Sequence, residues 1–125
     1  MKVRFALFIA SCFIACNSFA SELIYLGCDL PSPDNKPTRH FDITLDEQNG
    51  TVSFYIKEAN ATNKEKAVFG PETVTWTNNI TLRNGIVVTK INRTINRTDL
   101  SFVEEVDTSR YVGACQIVTP AKRKF

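Results

Sequence analysis

Apolar and polar residues alternate with a period of two over much of this chain, and turn-forming residues interrupt the alternation at short intervals. Phe41, Ile43 and Leu45 alternate with His40, Asp42, Thr44 and Asp46, the pattern of a strand with one buried and one wet face. Glu47-Gln48-Asn49-Gly50 follows as a turn in which Gly50 is free to take a positive φ. Val52, Phe54 and Ile56 then alternate with Ser53, Tyr55 and Lys57, so the two segments predict a hairpin. Residues 58–66 are polar and read as a loop or irregular turn. After Gly70-Pro71, Val74 and Trp76 resume the alternation, Asn78-Asn79 offers a turn, and Ile80 and Leu82 continue a strand. Asn84-Gly85 is a strong hairpin signal. Residues 86–98 read as a strand, Thr98-Asp99 as a turn into a strand over residues 100–103, residues 104–109 as a polar turn, and residues 111–118 as the last strand.

The pattern predicts an all-β domain of about eight strands with turns every ~8–12 residues, an antiparallel meander. Phe41, Ile43, Leu45, Val52, Phe54, Ile56, Val74, Trp76, Ile80 and Leu82 are its expected interior. Cys28 lies in the first strand and Cys115 in the last, and a disulfide needs Cα atoms within about 7 Å. In a meander those strands meet only if the sheet closes or folds over onto itself. The expectation is a closed or nearly closed barrel, with a two-sheet sandwich as the alternative. Pro31-Ser32-Pro33-Asp34-Asn35-Lys36-Pro37 is too proline-rich for a strand and reads as a surface loop.

The beginning of the chain has a different character. Lys2 and Arg4 precede an apolar run over residues 5–14, and Ser18-Phe19-Ala20 supplies the small-x-small pattern of a signal-peptide cleavage site. The run is shorter than the roughly 20 residues that span a bilayer. Residues 1–20 are therefore expected to be an export signal, with one β domain over residues 21–125, no membrane-spanning segment in it, and a periplasmic or secreted destination. Acylation at Cys16, which would make the protein an anchored lipoprotein, is the minor alternative. Cleavage removes Cys12 and Cys16, and the two cysteines left in an oxidising compartment read as one disulfide, Cys28–Cys115.

Charge changes the picture only by exclusion. Of the 15 basic residues two lie in the leader, leaving 13 against 13 acidic residues. A neutral domain argues against a dedicated nucleic-acid binder. Its 125 residues leave no room for a two-domain enzyme, a Rossmann fold or a TIM barrel. His40, Cys28 and Cys115 lack the tight spacing of a metal site. His40 is expected to face solvent, as are Asp42 and Asp46, and Glu104, Glu105 and Asp107 to solvate a turn. No phosphate loop or nucleophile motif is present. The expectation is a binding module that is not an enzyme and takes no metal or cofactor.

The most unusual stretch is a tandem tetrapeptide, Ile91-Asn92-Arg93-Thr94 and Ile95-Asn96-Arg97-Thr98. A spacing of four keeps both copies in phase with the pleat, so Arg93 and Arg97 share one face and Asn92, Thr94 and Asn96 the other. The partner of such a module is not identified by the sequence; one alternative is an anion-binding face of Lys90, Arg93 and Arg97, extended by the basic residues at 122–124, that takes a protein or an anionic envelope polymer. The plainer reading is a solvated face whose cations discourage edge pairing. Asn49, Asn60, Asn79, Asn92 and Asn96 each begin an Asn-x-Ser/Thr sequon. In a eukaryotic secretory pathway these would accept glycans; the reading preferred here is bacterial, with the sequons arising from Asn in turns and Thr in strands.

Cys28, Ile95-Asn96-Arg97-Thr98 and Gly113-Ala114-Cys115 resemble the first-strand Cys, late-strand Ile-Asn/Asp-Arg-Thr and last-strand Gly-x-Cys of a scattered set of small exported bacterial proteins. Leu100 stands where those often have Gly, and the resemblance implies no particular activity. The architecture is also similar to that of the C-type lysozyme inhibitors, exported β-barrels with a terminal-strand disulfide. That likeness implies inhibition of lysozyme or another cell-wall hydrolase as an alternative function. The Ser-Gly loop motif of that family has no match here; Tyr111-Val112-Gly113 is the nearest segment.

Overall fold

The computed structural model describes residues 22–81, 84–85 and 87–119, the side chains of Val87 and Val88 excepted. The expected export signal with Cys12 and Cys16, Leu82, and the basic residues at 122–124 lie outside the described residues. Eight strands follow in chain order: β1 (Ile24–Leu30), β2 (Arg39–Asp46), β3 (Thr51–Ile56), β4 (Ala61–Phe69), β5 (Thr73–Thr81), β6 (Val87–Asn96), β7 (Ser101–Val106) and β8 (Ser109–Ile117). Each pairs antiparallel with the next, and β8 returns to pair with β1. The protein is an all-β meander closed into a barrel, not a sandwich, and no helix occurs among the described residues.

Closure rests on the cysteines. Cys28 and Cys115 occupy directly opposed positions of the β1–β8 ladder, with a Cα–Cα distance of 4.0 Å, and are joined as a disulfide. Cys28 is buried in the core and Cys115 packs against it, so the bridge latches the seam from inside. Two residues earlier, Gly113 lets the strands approach. A Cβ there would lie 1.9 Å from the Asp29 carbonyl oxygen. Only glycine admits the crossing of β1 over β8, which accounts for the Gly-x-Cys order.

The interior follows the period-two pattern. Phe41, Ile43, Leu45, Val52, Phe54, Val74 and Trp76 are all buried as expected, joined by Leu26, Leu30, Ile95 and Phe102, while Ile56 packs against this cluster partly buried. Phe41, Phe54, Trp76 and Phe102 form a cycle of aromatic contacts with centroid separations of 5.2 to 6.4 Å. Edge and tilted contacts of this kind add about 0.5–1.5 kcal/mol each beyond the area buried.

Three local expectations are corrected. Of residues 58–66 only 58–60 turn, and residues 61–66 belong to β4. The β3–β4 turn is tight, with Asn60 at positive φ and its N–H bonded to the Lys57 carbonyl at 3.2 Å, and β4 pairs with the whole of β3. Polar Asn63 and Glu65 sit among its half-buried positions, so the hydrophobic alternation that marks a strand is missing. Asn78-Asn79 does not turn, because both residues pair with β6, opposite Ile91 and Lys90. Glu104 and Glu105 lie within β7, and the chain reverses at Asp107-Thr108 with Asp107 at positive φ.

The turn after the tandem repeat keeps one residue in an unusual conformation. Leu100 has a φ of 59°, a left-handed geometry that glycine adopts without penalty. Its N–H bonds the Asn96 carbonyl at 2.9 Å, and its side chain packs against the core. The resemblance noted above has glycine at this position.

Two seams of the barrel are short. Among the described residues β1 pairs with β8 from Leu26–Ile117 to Asp29–Ala114, with one further bond from the Val118 N–H to the Tyr25 carbonyl at 2.9 Å. Among the described residues β4 pairs with β5 only at Ala67–Trp76, Val68–Thr75 and Phe69–Val74. In a ring of eight strands these seams lie opposite one another, so the barrel is built as two four-stranded halves, β1–β4 and β5–β8. One seam is latched by the disulfide. The other is open over most of its length.

Candidate functional site

The tandem repeat puts Arg93 on the inward face of β6, while Arg97 follows the end of that strand and is exposed. Arg93 retains 3 % of its exposure and Glu104 1 %. They are direct neighbours across β6 and β7, and Arg93 Nε donates to Glu104 Oε2 at 2.9 Å. Arg39 from β2 reaches the other carboxylate oxygen, Nη2 to Oε1 at 2.8 Å. The result is an Arg93–Glu104–Arg39 triad inside the barrel. The Arg93 guanidinium also lies over Phe54 at 5.0 Å and Phe41 at 5.4 Å, and Arg39 stacks over Tyr111 at 5.5 Å. Cation–π contacts that exclude water strengthen such an arrangement.

Burial pulls the Arg93 guanidinium below its ordinary value, opposed by the charge and hydrogen bond of Glu104. An arginine stays charged through such a shift, so the core holds a permanent cation that Glu104 compensates. A buried carboxylate with two guanidiniums needs nearly ideal geometry to offset desolvation. Here each carboxylate oxygen has its own donor.

Arg97 stands just past β6 at the turn end of the barrel. Its Nη1 and Nη2 fork onto Glu47 at 3.3 and 3.1 Å, and Nη1 also donates to the Gly70 carbonyl at 2.8 Å. The β2–β3, β4–β5 and β6–β7 turns are tied together by this one side chain. Beneath it lies a cavity of about 230 Å³ floored by Leu26, Leu45, Val74 and Ile95 and rimmed by Ile24 and Ile117. Both repeat copies therefore place an arginine against a carboxylate from elsewhere in the fold.

Lys90 is exposed on the outer face of β6, away from Arg93 and Arg97. The expected face of Lys90, Arg93 and Arg97 is thus divided: one residue outside, one in the core, one clasping turns. Spacing placed the arginines in phase correctly, but periodicity alone does not say which phase is inward. Glu104, the partner that draws Arg93 inside, reads as a turn residue because it opens the polar run Glu104, Glu105 and Asp107.

Four of the five sequon asparagines hold local structure through their side chains. Asn49 donates to Asp46, Asn60 Oδ1 accepts from the Tyr55 hydroxyl, Asn92 Oδ1 accepts from Thr77, and Asn96 Oδ1 caps the N–H groups of Thr98 and Asp99. His40 is exposed between Asp29 and Glu58, bonded to Glu58 through both its ring and its backbone N–H. These bonds lower the Glu58 carboxyl to about 2, the backbone N–H of His40 contributing most. No group of three or more His, Cys, Asp or Glu able to hold a metal occurs among the described residues. No helix among them is long and apolar enough to cross a membrane.

The open seam between β4 and β5 is the feature that sequence reasoning missed. Past Ala67–Trp76, β4 pairs only with β3 and β5 only with β6. Ile80, in phase with the interior, is 47 % exposed, and among the described residues no strand pairs with β5 there on the β4 side. A cleft of about 520 Å³ runs along the seam, lined by Lys64, Glu65, Lys66, Val68 and Trp76 among others. Trp76 is buried, yet its indole N–H has no acceptor among the described residues.

Comparison with known proteins finds no family model, no curated protein and no solved structure that matches this chain.

Proposed function

We propose that the protein is exported and acts as a non-catalytic binding module, working through the open β4–β5 seam. The observation that carries this reading is the asymmetry of the barrel. One short seam is latched by Cys28–Cys115, while the opposite one leaves two strand edges and a cleft of about 520 Å³ facing outward. Unpaired strand edges attract other chains and are ordinarily covered or blunted. A disulfide of this kind supports an oxidising destination, and the leader over residues 1–20 supports export to the periplasm or medium.

The test is a photo-crosslinking residue at Val68, which projects from the cleft, and another at Val112 on the far wall, both exposed. In the native host the Val68 position should yield a discrete adduct and Val112 none. Identical labelling from both positions, or from neither, contradicts the reading.

Inhibition of lysozyme or another cell-wall hydrolase is the second reading, favoured by the terminal-strand disulfide in a closed eight-stranded barrel. It requires stoichiometric loss of hydrolase activity; undiminished activity at large molar excess ends it. Fold similarity alone carries no function. Anionic-polymer binding through Arg93 and Arg97 loses its basis, because both guanidiniums are committed to Glu104 and Glu47.

A further inference from the structure

We infer that the open seam takes an extended peptide segment of a partner protein, one in which acidic residues alternate with apolar ones, as an added strand between β4 and β5. This rests on the binding-module reading above and names its partner class.

The backbone supplies the first argument. The Ala67 N–H bonds the Gly50 carbonyl at 2.9 Å, so the odd-numbered residues of β4 turn their peptide groups toward β3. By the alternation of an antiparallel ladder, Thr62 and Lys64 turn theirs toward the gap. The Gly70 N–H bonds the Thr73 carbonyl at 2.8 Å, which by the same alternation sets Asn79 facing the gap from β5. These are the groups that an incoming strand would pair with.

Side chains supply the second. On the outer face, Lys64, Lys66 and Lys90 are exposed around the gap, Lys90 pairing in register with Asn79. An inserted strand would present alternate residues to this basic rim, where acidic groups are complementary. Its other residues would point inward, between the half-buried Asn63 and Glu65 of β4 and the Ile80 and buried Trp76 side chains of β5, and apolar residues there would cover Ile80 and Trp76. Acidic outside and apolar inside is the pattern the seam selects.

The probe is a short end-blocked peptide alternating glutamate with valine, titrated into the disulfide-bonded protein and followed by amide NMR and Trp76 fluorescence. Shifts should concentrate at Thr62, Lys64 and Asn79. Replacing Lys64 and Lys66 by Glu should weaken binding about tenfold, and N-methylating the peptide backbone should abolish it. Binding that survives N-methylation, or shifts located elsewhere, would indicate simple polyanion attraction and overturn the proposal. A reversible dimer that protects the same amides would make a second copy the occupant and overturn it equally. Should the peptide fail while Val68 still gives its own crosslinked adduct, the partner class is wrong and the binding-module reading stands. If both fail, both are wrong.

Discussion

Arg93 and Glu104 face each other across β6 and β7 inside the barrel, their side chains joined at 2.9 Å with almost no exposure to water. Together with Arg39 they tie one half of the barrel to the other, since Arg39 lies on β2 and Glu104 on β7. Arg97 and Glu47 make the same connection at the turn end. The repeated tetrapeptide thus supplies two rivets between halves whose backbone seams are short.

Removing Arg93 alone leaves Glu104 with one donor and a buried uncompensated oxygen. Arg93→Met should cost about 3–5 kcal/mol, and adding Glu104→Leu should restore part of the loss, because it removes the buried carboxylate and leaves only Arg39, which is partly exposed to water, without its partner. Urea unfolding of both variants checks this. A double variant as unstable as the single one would mean that the charges do more than compensate each other.

Gly113→Ala should be among the most damaging single-methyl additions in the protein. The new Cβ would meet the Asp29 carbonyl oxygen at 1.9 Å, a backbone atom that cannot swing aside. The expected loss is about 3 kcal/mol, the upper end of overpacking costs. Thermal unfolding measures it, and a stability within experimental error of the parent would show that β1 does not cross β8 so closely.

Reducing Cys28–Cys115 opens a loop spanning a sequence separation of 87. The chain-entropy model sets the loss at about 4–5 kcal/mol. Because the β1–β8 ladder is short, amide exchange should rise first in β1 and β8. Uniform loss of protection over all eight strands would instead indicate that the halves have no separate stability.

Glu58 gives a pH signature. Its carboxyl is lowered from 4.5 to about 2 by the His40 backbone N–H, then by the His40 side chain. A depressed carboxyl favours the fold where it is ionised. Its contribution is therefore complete above about 4.5 and fades as pH falls toward about 2. A side-chain carboxyl NMR titration should place the Glu58 midpoint near 2, and Glu58→Gln should flatten that part of the stability profile. A midpoint in the ordinary glutamate range contradicts the His40 contacts.

The strand order, the closure and the disulfide were legible because Cys28 and Cys115 mark the first and last strands of an alternating meander. The interior of β2 and β3 was legible for the same reason: Phe41, Ile43, Val52 and Phe54 contrast sharply with their neighbours. β4 was not, since Asn63 and Glu65 stand where apolar residues would signal an inward face. Arg93 and Glu104 were misplaced together. Each is a plausible surface residue alone, and only the pairing of β6 with β7 shows that each is the other's reason for being buried. Ile80 fails in the opposite sense, apolar and in phase but uncovered, because the seam beside it is open.

The most direct test is amide hydrogen exchange along β4 and β5 in the monomeric, disulfide-bonded protein. An open seam predicts a period-two pattern: fast exchange at Thr62, Lys64 and Asn79, whose N–H groups face the gap, and slow exchange at Asn63 and Glu65, which bond to β3. Uniformly slow exchange across these residues would mean that β4 and β5 are zipped together, and the binding site would not exist.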